Sequence, residues 1–253
     1  MELGSFRLHP HLVFELLAYF AGFRLYLAAR RRRGDFLDDP RRWWVVAAAA
    51  LGAALGARLL YLLECPLETL RRWHDLDYLL AGKTIVGAIA GGWLAVEGTK
   101  RLLHVESRTG DLFAAPLAVA IAIGRIGCFL TGLDDHTYGT PTTLPWGVDF
   151  GDGVPRHPAP LYEALFLALL AVVLVRLGRR GVGSGDLFRL FVVAYFAYRL
   201  VADFWKPVGC RWLGMTAIQW TALAALAVAA PDMLRWFRDR RLRPDGAREE
   251  EAR

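Results

Sequence analysis

The sequence predicts an all-α integral membrane protein, a single polytopic domain over residues 1–253 with about seven transmembrane helices. Three observations carry that expectation. Of the 253 residues, 55% are hydrophobic and the mean hydropathy is +0.29, too apolar for a soluble domain of this length. Charged residues nevertheless make up 22%, too many for a chain surrounded by lipid throughout, so polar loops must alternate with apolar spans. The net charge of +6 would suit nucleic acid if it were clustered. The basic residues instead stand at the ends of apolar segments, as they do when they set membrane orientation, and no nucleic-acid partner is expected.

A helix needs roughly 20 apolar residues to cross the hydrocarbon core. Seven stretches approach this: 11–29, 43–64, 84–99, 111–130, 160–178, 186–204 and 216–234. The residues before the first, "MELGSFRLHP", lack both the basic start and the small-residue cleavage site of a signal peptide. Between the second and third lies "CPLETLRRWHDLDYLLAGK", amphipathic and too polar to span, expected to lie at the interface or dip back into the membrane. The third, "TIVGAIAGGWLAVEG", is short and rich in glycine, which suits close helix packing. The fourth ends in "AIAIGRIGCFLTG", where an arginine interrupts the isoleucines. The loop 131–159 is rich in Gly, Pro, Asp and Thr, and its "TTLPWGVDFGDG" predicts a small β-turn unit. Residues 235–253 read as a charged, mostly disordered tail. With the N-terminus outside, nineteen Lys and Arg fall on the inner side and six on the outer. This predicts an outer N-terminus, a cytoplasmic C-terminus and a periplasmic loop unit. The three cysteines have no zinc or redox spacing. A disulfide between Cys65 and Cys210 requires both to face an oxidising side, and the sequence leaves that pairing open.

An ionised side chain at the bilayer centre costs about 2.5–3.5 kcal/mol, so each charge inside a span needs a reason. Arg24 and Arg189 sit near the inner ends of their spans, where they can snorkel. Arg58 is expected to pair with a helix neighbour or Glu64, and Glu97 with Lys100 or Arg101. Arg125 and Arg199 lie well inside apolar runs, towards the outer half. Asp203, four residues after Arg199, shares its helix face. Two guanidiniums at that depth suit an anionic lipid headgroup, because each planar fork offers paired donors and keeps its charge; internal ion pairing is the competing reading.

Beyond Arg125 the polar groups thicken: Asp134, Asp135, His136 and Tyr138, then "PRHPAPLYE" with Arg156, His157, Tyr162 and Glu163. His157 carries an imidazole and is a candidate general base, or simply a loop hydrogen-bonder. Residues 134–136 offer no fixed ligand spacing, so neither a metal nor another cofactor is expected. Cys128 is either a nucleophile or, more simply, a small buried thiol.

These motifs resemble those of the bacterial prolipoprotein diacylglyceryl transferase family over nearly the whole chain. "GRIGCFLTG", followed about 25 residues later by "PRHPAPLYEALF", is similar to the family's Gly-Arg-x-Gly-Asn-Phe core and its Arg-His-Pro-x-x-Leu-Tyr-Glu run. "GARLLYLLE", the glycine-rich third helix and "YRLVADFWKP" support the match. The resemblance implies seven helices in the bacterial inner membrane. It also implies transfer of a diacylglyceryl group from phosphatidylglycerol to a lipobox cysteine of a lipoprotein precursor, with release of glycerol phosphate. Arg125 and Arg199 would then hold the phosphate, with Arg58, Cys128, Asp134, Gly139, Arg156, Tyr162, Glu163 and Asp203 around the substrates.

The chain departs from the family at four places around that pocket. Val86 stands for a histidine, Cys128 for an asparagine, Leu133 (with Asp134 next) for a glutamate, and Glu15 for a tyrosine. The departures leave the phosphate clamp and alter the groups that would activate an acceptor, so Glu15, Lys83 and His157 become the candidate proton acceptors. Three readings follow: a phosphatidylglycerol-dependent transferase with another acceptor, an ordinary prolipoprotein transferase with its base elsewhere, or a phospholipid-binding membrane protein without catalysis. A transporter is disfavoured, since paired broken helices are lacking.

Overall fold

The computed structural model describes residues 2–3, 6–7, 10–34, 39–180, 185–207 and 209–242. All seven apolar stretches are helices: α1 (Pro10–Arg33), α2 (Asp39–Glu64), α5 (Ile85–Leu102), α6 (Asp111–Thr131), α7 (Ala159–Arg179), α8 (Asp186–Ala202) and α9 (Ala217–Leu242). Among the described residues, four helical segments are long and apolar enough to cross a membrane by length and composition: Pro10–Arg32, Pro40–Glu64, Asp111–Asp135 and Ala159–Arg179. The expected tail from residue 235 needs correcting. α9 continues to Leu242, through a stretch whose Arg and Leu residues are good helix formers, and residues 243–253 lie outside the described residues.

The bundle is apolar outside and charged within. Leu16, Phe20, Phe23, Leu51, Leu55, Leu59, Leu165 and Leu169 are exposed, whereas Arg125, Glu163, Arg199, Asp203 and Gln219 are buried. That inversion suits a lipid surround rather than water. α6 packs against α1, α7 and α8, so its C-terminal end meets the helices that carry Glu163 and Arg199.

α2 and α5 pack through glycines. A Cβ on Gly56 would stand 2.3 Å from the Gly87 carbonyl oxygen, and one on Gly91 would stand 2.3 Å from that of Gly52. Small residues let the two backbones touch, the packing the glycine-rich third stretch predicts. Thr84 begins α5, its hydroxyl accepting from Gly87 N at 3.2 Å, and donates to the Ala57 carbonyl of α2 at 3.3 Å.

The amphipathic stretch after α2 breaks into two short helices, α3 (Pro66–Arg71) and α4 (Leu76–Ala81). The Asp75 carboxylate caps α4 by accepting from Tyr78 N at 3.0 Å and is held by Arg72. Cys65 is joined to Cys210, which settles the pairing the sequence leaves open and ties the α2–α3 junction to the segment before α9. The bridge closes a separation of 145 residues. Its loss in Cys65→Ser should cost about 2–5 kcal/mol, read as a lower thermal unfolding midpoint in detergent.

The loop after α6 forms the expected β-turn unit. β3 (Val148–Asp149) pairs antiparallel with β4 (Pro155–Arg156), and β1 (Glu2–Leu3) with β2 (Phe6–Arg7) makes a second small ribbon. The turn between β3 and β4 is built on Asp149, whose carboxylate accepts from Gly151 N at 2.8 Å, Asp152 N at 3.1 Å and Gly153 N at 3.0 Å. Gly151 and Gly153 have φ of +107° and +77°, a conformation that favours glycine.

Candidate functional site

At one end of the bundle, α6, α7 and α8 bring three charges to a point. Arg125 is on the last two turns of α6, Glu163 in the first turns of α7, and Arg199 on the last turn of α8. Glu163, 1% exposed, receives both guanidiniums: Arg125 Nε lies 3.0 Å from its Oε2 and Arg199 Nη1 lies 3.5 Å from its Oε1. The Tyr195 hydroxyl donates to Glu163 Oε1 at 2.7 Å. Arg199 Nη2 lies 2.5 Å from Asp203 Oδ1, the pair their spacing predicts. Asp203 Oδ2 accepts from the Thr216 hydroxyl at 3.2 Å.

Both arginines therefore sit together as the clamp reading requires and are also ion-paired within the protein. They keep donor capacity. The Arg125 Nε–Glu163 contact is a close ion pair without an aligned hydrogen bond, and Arg199 Nε has no partner among the described residues. Buried guanidinium donors left over in this way are costly unless an acceptor comes to them.

Lys206, in the loop after α8, completes the centre with Nζ 4.0 Å from Glu163 Oε2. Burial pushes its ammonium down to about 7, helped by the positive charges of Arg199 and Arg125 and opposed by Glu163 and Asp203. Its position three residues after Asp203 was the available signal, but a tally of basic residues assigns it to an outer loop. Tyr195 could have been read from its place one helical turn before Arg199. Thr216, which caps α9, gives no comparable sign.

A second cluster begins on α1. Lys83 Nζ lies 2.5 Å from Glu15 Oε1, so two of the candidate proton acceptors are partners. Tyr19 donates to the same oxygen at 2.8 Å. One turn back on α1, His11, absent from the sequence reading, places Nε2 3.7 Å from Glu15 Oε2 and Nδ1 3.0 Å from Asp135 Oδ1. Cys128 Sγ stands 3.9 Å from His11 Nδ1 and 3.8 Å from Arg125 Nη1. A run of polar contacts thus extends from the exposed Lys83 to the buried Arg125.

The other expected residues are placed as follows. Asp134 is exposed, and its neighbour Asp135 is the carboxylate turned towards Cys128, because the 3-10 turn after α6 sends successive residues in different directions. Arg58 donates from Nη1 to the Gly82 carbonyl at 2.7 Å rather than pairing with Glu64. The α4–α5 link offers it an uncharged acceptor. Lys100 pairs with Glu97 at 3.0 Å, as expected. His157 Nδ1 lies 3.2 Å from the Tyr162 hydroxyl, which accepts from Trp146 Nε1 at 2.8 Å. Gly139 permits a close approach: a Cβ there would stand 2.5 Å from that of His157. Arg156 pairs with Asp152 at 2.6 Å and lies 5.2 Å from the Tyr138 ring centroid. His157, Arg156, Tyr162 and Gly139 thus belong to the β-turn unit and its junction with α7. Val86 is wholly buried among Leu60, Ile89 and the core, and offers no proton acceptor.

A helical bundle with lipid-suited outer faces and an ion-paired arginine centre within is a multi-pass membrane protein. The sequence pattern of the prolipoprotein diacylglyceryl transferase family matches residues 1–234, and the chain belongs to that family. Among its relatives are proteins named phosphatidylglycerol–prolipoprotein diacylglyceryl transferase. The one from Geobacter sulfurreducens is 30% identical over 85% of this chain and 84% of its own length. That from Nitrosomonas europaea is 30% identical over 94% and 88%, and that from Chlamydia trachomatis serovar D is 34% identical over 82% of each.

Proposed function

We propose that this chain is a phosphatidylglycerol-dependent diacylglyceryl transferase of the bacterial inner membrane, spanning it with seven helices and with the N-terminus outside. The observation that carries this reading is the convergence of Arg125 and Arg199 on Glu163, with guanidinium donors left over. The names of the relatives support the same substrate. The Cys65–Cys210 bridge at this end of the bundle suits an oxidising outer side.

In the step itself, a thiol or hydroxyl of the acceptor attacks the carbon of the diacylated glycerol that carries the phosphate. The new S–C or O–C bond forms as the C–O bond to phosphate breaks, and that bond's electron pair leaves with glycerol phosphate. Negative charge therefore builds on the phosphate in the transition state, where Arg125 and Arg199 are aimed. The acceptor's proton passes to the Glu15 carboxylate, which Lys83 holds in place. His157, engaged by Tyr162, is the alternative acceptor. Val86 in place of the family's histidine, with the charged Glu15–Lys83 pair as the remaining proton-accepting group, favours an acceptor other than the usual lipobox cysteine.

Glu163 and Asp203 balance the two arginines, so the charge an anionic headgroup meets there is set by Lys206 and by Glu64, a further carboxylate that interacts with Lys206 and Arg199. Lys206 is charged below about pH 7 and neutral above it. Phosphatidylglycerol binding should therefore tighten as pH falls through 7, and Lys206→Arg should flatten that profile at the tighter level. A flat profile in the unaltered protein would count against the role of Lys206.

Purified protein incubated with labelled phosphatidylglycerol and a membrane extract should release glycerol phosphate and transfer label to an extract component. Complementation of a strain depleted of its own prolipoprotein transferase should fail. Val86 favours a second reading, a phospholipid-binding protein without catalysis: binding with no release would establish it in place of the first.

A further inference from the structure

We propose that His11, Cys128 and Asp135 form a binding site for a transition-metal ion of the zinc class, a property separate from the transferase reading. The three come from different elements, the start of α1, the last turn of α6 and the 3-10 turn that follows it. Their ligand atoms, one nitrogen, one sulfur and one oxygen, all lie within 4.8 Å of one another. An expectation of no metal, drawn from spacing within residues 134–136, looked along one loop for ligands that the fold gathers from three places.

The distances fit a common ion. Metal–ligand bonds of about 2.0–2.3 Å in a tetrahedron set its ligand atoms roughly 3.3–3.6 Å apart. The observed 3.0 Å from His11 Nδ1 to Asp135 Oδ1 and 3.9 Å from His11 Nδ1 to Cys128 Sγ lie on either side of that range. Thiolate, imidazole and carboxylate together select zinc-like ions over magnesium or calcium.

The groups behind the ligands supply a second, independent observation. With Nδ1 on the ion, His11 turns Nε2 towards the Glu15 carboxylate, 3.7 Å away at ion-pair rather than hydrogen-bond distance, and Lys83 anchors that carboxylate. The outer oxygen of Asp135, Oδ2, accepts from the Thr137 hydroxyl at 2.5 Å. A carboxylate behind a ligating histidine and a hydrogen bond behind a ligating carboxylate are the usual supports of a metal site. Arg125, next to Cys128, has its charge met by Glu163, so it does not stand unbalanced against a cation. Three protein ligands leave a fourth position open to water or to a thiolate or hydroxyl of an incoming molecule.

Cys128 is the single thiol outside the disulfide, which makes the test specific. Tag-free full-length protein in detergent, without reductant, is titrated with Co2+. One equivalent should bind with a sulfur-to-cobalt charge-transfer band, displaced by Zn2+. The band should vanish in Cys128→Ser, and affinity should fall at least tenfold in His11→Ala and Asp135→Asn. Glu15→Gln should weaken binding by about 10-fold or more. Zinc-edge X-ray absorption of the unaltered protein loaded with Zn2+ should find one sulfur neighbour at about 2.3 Å, a readout that needs no variant. Binding without a sulfur neighbour, or a cobalt band that survives in Cys128→Ser, overturns the proposal. So does equal affinity in His11→Ala, which would leave the three residues as an ion pair beside a thiol. None of these readouts depends on lipid turnover, so the site and the transferase reading can fail separately.

Discussion

Arg125→Ala should abolish measurable glycerol phosphate release, lowering the rate by at least about 10²–10³-fold, the usual cost of removing a donor aimed at developing charge. Arg125 reaches the centre from α6, and without it the phosphate meets only Arg199 and Lys206. The substitution also leaves Glu163, 1% exposed, with half its guanidinium support. Removing one member of a buried pair costs about 3–5 kcal/mol, so loss of fold could imitate loss of function. A double variant separates the two. Arg125→Ala with Glu163→Gln removes both charges and should recover part of the thermal stability, since Glu163 also faces Arg199 and Lys206, while staying inactive. Release that persists in stably folded Arg125→Ala would refute the phosphate clamp. Recovery of activity in the double variant would assign Arg125 to structure alone.

The second large effect concerns folding. Gly91→Leu should prevent recovery of monodisperse protein from detergent, because α2 and α5 would have to separate. A single Cβ at Gly91 already falls 2.3 Å from the Gly52 carbonyl oxygen and 2.8 Å from Gly56 Cα, and backbone cannot swing aside as a long side chain can. The same helix provides the control. A Cβ at Gly98 meets nothing within 4 Å, so Gly98→Ala should be neutral or slightly stabilising, since alanine has the better helix propensity. Equal yields and unfolding midpoints for Gly91→Leu and Gly98→Ala would show that the glycine contact does not hold these helices together. The α2–α5 contact also matters for the site, since Thr84 and Lys83 lie at the junction where α5 begins.

The helices were legible because hydropathy and helix-ending charges act over a turn or two of chain. The runs predicted from 11–29 to 216–234 differ from α1 to α9 mainly at their ends, and the loop residues 142–153 announced their turn by Gly, Asp and Pro. Arg125, Arg199 and Asp203 were legible for a similar reason. A charge inside an apolar run is conspicuous, and an i,i+4 partner is fixed by helix geometry. His11 and Lys206 were not, because each lies at a segment end where a polar residue is unremarkable. The choice between Asp134 and Asp135 turns on how the chain leaves α6, in a 3-10 turn ending at His136 with φ of +54°.

By itself the sequence determined a helical chain with lipid-suited faces, its glycine-packed helix and the two arginines that must find partners. Tertiary structure alone decided the partners. Glu163 draws both arginines, Glu15 meets Lys83 across 68 residues, Cys65 joins Cys210, and His11 comes to Cys128 from 117 residues away. The physical reason is one of range. Hydropathy and helix geometry are set by near neighbours, whereas the partner of a buried charge depends on which helix ends the packing brings to the same depth.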